Sequence, residues 1–211
     1  MFGIHDLTLF IVSGLLLNIV PGPDTMLVVT RSATQGWRAG SAAALGIGSG
    51  TFVHVLAAAL GMSALLATSA HAFTVVKWVG AAYLVYVGAR MWWTHSARRT
   101  TAEGEAAPLP YRKIFAQGFL TNVLNPKVAL FFLAFVPQFI EPAAPSKALA
   151  FIALGCVFNV NSMIWSHGLA LFSAAVGQRT RLGPRTARWL NRAVGTVFVA
   201  FGVRLALGGR A

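Results

Sequence analysis

The chain has 211 residues, of which 56% are hydrophobic and only 10% charged, with a mean hydropathy of +0.68. A water-soluble domain carries about a quarter of its residues as Asp, Glu, Lys and Arg, so this composition excludes an ordinary soluble fold. The formal charge of +12 would suggest nucleic acid in a soluble chain, but here the cations sit in short clusters between apolar runs, the pattern that orients a polytopic membrane protein.

A spanning helix needs roughly 20 apolar residues. Six runs qualify: Leu7–Val29, Gly40–Leu66, Phe73–Trp93, Ile114–Ile140, Ala148–Val176 and Trp189–Leu207. The first follows Met1–Asp6, which has no Lys or Arg, so it is expected to be retained as a helix and not removed as a signal peptide. The second carries Gly46, Gly48 and Gly50, small residues that let helix backbones approach in lipid. The third is flanked by Lys77, Trp78, Arg90, Trp92 and Trp93, which suit the membrane interfaces. Arg204 near the end of the sixth reads the same way. In the fifth, Asn159 and Asn161 are expected to bridge helices. Cys156 lies in the same run and is the chain's one cysteine, so a disulfide or cysteine-based metal site is not expected.

The loops set an orientation. Arg31 and Arg38, then Arg90, Arg98, Arg99, Arg112 and Lys113, then Arg179, Arg181, Arg185, Arg188 and Arg192 fall on one side, twelve of the seventeen Lys and Arg. The positive-inside rule puts that side in the cytoplasm and both termini outside. Residues 94–113 then form a cytoplasmic linker between two halves of one transporter domain, residues 1–93 and 114–211. With three spans in each half, related halves must be inverted in the membrane. The fold class expected is therefore all-α integral membrane, about six transmembrane helices in two inverted repeats.

The first and fourth spans support that relation. One contains Asn18-Ile19-Val20-Pro21-Gly22-Pro23-Asp24, the other Asn122-Val123-Leu124-Asn125-Pro126-Lys127. Each reads as a helix that breaks and restarts, with Pro23 or Pro126 at the first position and Gly22 or Asn125 as cap. Broken helices at matching places in two halves point to a transport site. A restarting helix offers free N–H groups and the positive end of its dipole, which suits a carboxylate. Lys127 opposes that dipole, and an isolated charge near the bilayer centre costs about 3 kcal/mol. Its compensating anion is either Asp24, the one acidic residue inside a span, or a substrate carboxylate. At 1.5 Å per residue, Asp24 falls roughly 25 Å below the outer surface and Lys127 roughly 20 Å above the inner one, which leaves direct pairing open.

His54 and His167 are the other titratable groups at depth, candidates for moving protons or for plain helix packing. Two histidines without neighbouring carboxylate or cysteine ligands do not make a metal site. No nucleophile–base motif or nucleotide loop is present, so neither enzyme nor cofactor is expected.

The run Pro21-Gly22-Pro23-Asp24, with Arg31, Gly36, Arg38 and Gly40, resembles the first signature of the LysE/RhtB family of amino-acid exporters. Gln117-Gly118-Phe119, Asn125-Pro126-Lys127, Phe131-Phe132 and Pro137-Gln138-Phe139 resemble its second. Lys77, Gly80-Ala81-Ala82-Tyr83-Leu84 and the segment Asn191–Leu207 are similar too, so the likeness covers nearly the whole chain. The resemblance implies an inner-membrane secondary transporter that exports amino acids or their derivatives by proton antiport. The partners expected are then a small amino-acid-like solute, the proton and the lipid bilayer, with a homo-oligomer left open and no nucleic acid. The alternatives are a cation or metal exporter and a non-transport assembly protein of the membrane.

Overall fold

The computed structural model describes residues 2–20, 22–68 and 108–176, together with scattered positions between 75 and 92 and between 192 and 206. The described elements are α1 (Leu7–Ile19), α2 (Pro23–Gln35), α3 (Trp37–Thr68), α4 (Tyr111–Val123), α5 (Pro126–Leu130) and α6 (Lys147–Val176). Between α5 and α6 lie a π-helical turn, Phe131–Phe135, and a 3₁₀ turn, Val136–Phe139. Among the described residues the one strand-like feature is an antiparallel bridge between Ile4 and Ile140.

Two stretches, Trp37–Gly61 and Lys147–Ala175, are long and apolar enough to cross a bilayer unbroken. They expose apolar side chains that a soluble helix of this length would hide: Leu60 on α3 and Ile164 on α6 are each 71% exposed. Lipid is the solvent that accepts such a surface. Two helix pairs are long and apolar enough to cross when each is taken together, and each bends at its break: α1 with α2 at 58° and α4 with Pro126–Phe139 at 47°. The chain is therefore an all-helical integral membrane protein whose first and fourth expected spans are broken. The expected third and sixth spans, Phe73–Trp93 and Trp189–Leu207, lie mostly outside the described residues. Where positions are described they are helical, and the two segments touch: the Trp92 indole N–H donates to Thr196 Oγ1 at 3.2 Å.

Local chemistry explains the boundaries. Pro23 and Pro126 have no N–H to continue a helix, and a residue before proline is pushed away from the α region. Gly22 is accordingly extended (φ −139°, ψ −177°), as is Asn125 (φ −81°, ψ 106°). The first crossing runs further than Leu7–Val29, because α2 continues to Gln35 and turns directly into α3. Gly36, at φ +82°, supplies a left-handed turn that most residues adopt only under strain.

Packing follows two devices. On one side α3 and α4 meet backbone to backbone: a Cβ on Gly46 would strike the Phe115 carbonyl, and one on Gly118 would strike that of Ala43. The glycine stripe on α3 thus sets this approach. On the other, aromatic rings join α1, the π turn and α6. Phe131 stacks on Phe135 at 5.1 Å and lies 4.8 Å from Phe158, while Phe10 meets Phe139 edge-on at 5.3 Å. Asn161 donates to the Ile11 carbonyl at 3.1 Å, the interhelix bridge expected of it.

Candidate functional site

The two breaks face each other, and each receives the charged residue of the other. Asp24 is the second residue of α2. Its Oδ2 accepts from Asn122 Nδ2 at 2.9 Å and from Asn125 Nδ2 at 3.0 Å, both in the second break. Lys127 is the second residue of α5. Its Nζ donates to the carbonyls of Leu17 at 3.1 Å and Val20 at 3.3 Å, at the end of α1. The last turn of a helix has carbonyls without intrahelical partners and the negative end of the dipole, so a cation there is favoured. That carbonyl end compensates Lys127 in this conformation, a partner the sequence did not suggest.

Asp24 and Lys127 do not form an ion pair: among the described residues the one such contact is His5–Asp6, at 3.2 Å near the N-terminus. Asn125 links them. Its Nδ2 holds Asp24 and its Oδ1 accepts from the Lys127 backbone N–H at 3.0 Å, the N-cap expected for the restarted helix. Gly22 matters by what it lacks. A Cβ there would lie 3.3 Å from Lys127 Nζ, so the bare backbone makes room for the ammonium beside the break.

His54 caps the second break. Its Nε2 donates to the Asn122 carbonyl at 2.9 Å, which requires the proton on that nitrogen. Lys127 at the end of α1 and His54 at the end of α4 are thus equivalent devices. His167 bonds its own helix, to the Met163 carbonyl at 2.9 Å, and does not line the cavity described next. Pro21 lies outside the described residues.

Between the breaks lies a small cavity. Asn18, Asp24, Asn122 and Lys127 line it from the broken helices, Thr51 from α3, and Ser162, Trp165 and Ser166 from α6. Its free space for the centres of water-sized molecules is about 20 Å³, enough for one or two waters and far short of an amino acid. In this conformation the cavity does not admit an amino acid. Of the residues expected from sequence, Asn18, Asp24, Asn122 and Lys127 line the cavity, Gly22, Pro23, Asn125, Pro126 and His54 shape its surroundings, and His167 stands apart. The contribution of α6 was missed. A Ser162–Ser166 spacing of four places both on one helical face and would have been the signal.

Broken helices that meet at a shared cavity are a feature of membrane transporters. The chain matches the model of the LysE type translocators over residues 15–209, and it belongs to that family, which makes it a transporter and not an enzyme. It is similar to the leucine efflux protein of Salmonella choleraesuis (strain SC-B67), 30% identical over 208 residues that cover 97% of this chain and 96% of that one. The leucine efflux protein of Enterobacter sp. (strain 638) is 29% identical over 97% of both chains. An uncharacterized membrane protein of Pseudomonas aeruginosa is 30% identical over 97% of this chain and 96% of its own. No solved structure matches significantly.

Proposed function

We propose that this chain exports free amino acids across the plasma membrane in exchange for protons, with Asp24 as the proton-carrying group and Lys127 facing the cargo's carboxylate. The observation that carries the reading is the crossed arrangement of the breaks: one carboxylate and one ammonium, from opposite halves, on the wall of one cavity. An α-amino acid has the complementary two charges. Relatives that match along nearly their whole length carry the name leucine efflux protein, which supports export and a neutral cargo.

The same reading takes the two halves as inverted repeats. Contacts between the halves support it: α1 and α2 pack on α6 and α4 packs on α3, while α2 also packs on α3 of its own half. The reading also sets the linker in the cytoplasm and both termini outside, supported by the twelve cations that the expected spans leave on one side.

The test uses protein in liposomes loaded with labelled leucine, acidic outside, with the accessible side fixed by protease access to a C-terminal tag. The wild type should release leucine faster with the gradient than without it. Asp24→Asn keeps the shape and removes the titrating group, and gradient-driven release should fall at least tenfold while the protein remains folded. Full gradient-driven release by a folded mutant would exclude Asp24 as the coupling group.

A further inference from the structure

Three polar atoms buried at the cavity have no protein partner: the acceptor Asp24 Oδ1 and the donors Asn18 Nδ2 and Trp165 Nε1. Buried polar groups are rarely left unmatched, and each exception asks what completes it. Here the unmatched set has a definite chemistry. One carboxylate oxygen wants an N–H donor, and two N–H groups want an acceptor. Lys127, with two of its three donors on carbonyls, has a third to offer. Beside the polar Thr25, Thr51, Asn122, Ser162 and Ser166, the wall carries five apolar side chains, Leu17, Ile47, Val128, Phe158 and Leu169.

We propose that Trp165 and Asn18 form the carboxylate-reading part of the cargo site, while the free oxygen of Asp24 takes the cargo's ammonium. The five apolar side chains then receive an aliphatic side chain, which makes the favoured cargo a neutral, branched or straight-chain α-amino acid. The assignment rests on the export reading above and adds α6 to the site. Trp165 is suited to the role: an indole N–H donates without accepting, so it discriminates for an anion, and its ring offers the cargo an apolar flank. Asn18 stands near the end of α1, within one turn of the carbonyls that hold Lys127, and the residues that carry the donors, from α1, α5 and α6, line the same cavity. The cavity must widen to admit this cargo, as a carrier's central site does when its halves rock.

The experiment compares leucine with 3-methylbutylamine, which keeps the ammonium and the branched chain but has no carboxylate. Leucine transport and its inhibition by the amine are measured for the wild type, for Trp165→Phe, which keeps a flat ring without the N–H, and for Asn18→Ala. Each variant should raise the leucine KM about tenfold and leave the amine's inhibition constant within twofold. Asn18→Ala keeps the assignment testable if Trp165→Phe does not fold. Equal losses for leucine and amine would make these residues structural and overturn the assignment. Unchanged values for both would mean that the unmatched atoms only hold water, which overturns it as well. An amine that fails to inhibit the wild type would remove Asp24 as the ammonium site. A wild type that carries no α-amino acid at all would sink the export reading itself, whereas leucine transport indifferent to these variants would sink only the assignment.

Discussion

Asn125 holds the two charges of the site in their places with a single amide. One end donates to Asp24 and the other caps the backbone of Lys127. Losing the cap costs about 1 kcal/mol, and losing the buried hydrogen bond adds about 1–2 kcal/mol. Asn125→Ala should therefore lower the melting temperature in detergent by about 5–10 °C and slow amino-acid efflux. Asn125→Asp keeps a capping oxygen but sets a second carboxylate beside Asp24, and should impair efflux more than it impairs stability. An alanine variant that melts and transports like the wild type would remove Asn125 as the link. Half of this was legible in the sequence, because Asn followed by Pro reads as a cap on a restarting helix. The other half was not, since the contact with Asp24 spans 101 residues and leaves no local pattern.

At the scale of elements, the breaks were legible because proline acts on its own neighbours. Their meeting was not, because a uniform rise along a straight helix separates Asp24 from Lys127 in depth, whereas the real crossings bend by 58° and 47°. The π turn at Phe131–Phe135 was also invisible. Phe131-Phe132-Leu133-Ala134-Phe135 is apolar throughout and offers no periodic contrast to report a change of pitch. The glycine stripe was readable as a packing face, and its partner Gly118 fixes a sharper expectation. Gly118→Ala pushes a methyl group into the Ala43 carbonyl, an overpacking that costs about 1–3 kcal/mol. Gly168→Ala, on α6 with open space around it, should be neutral or stabilise by up to about 1 kcal/mol. Thermal unfolding of the two variants side by side measures the contrast. Equal melting temperatures would show that α3 and α4 can move apart without loss.

For the whole molecule, composition settled the class and the span pattern gave the plan of two broken and two continuous crossings among the described residues. What it could not give is how the site's own charges are satisfied. In this conformation one oxygen of Asp24 already holds two amide donors and Lys127 already holds two carbonyls. The charges that would greet a cargo are thus largely solvated by the protein itself. A carrier that must expose bare charges when unloaded is locked until a new passenger arrives, and can only swap one molecule for another. In the proposed cycle this one returns with a proton on Asp24 in place of a cargo, so it is suited to drain a compartment without taking up a second passenger. Leucine added outside should accordingly leave the rate of efflux from loaded liposomes unchanged, and marked acceleration would make it an obligate exchanger instead.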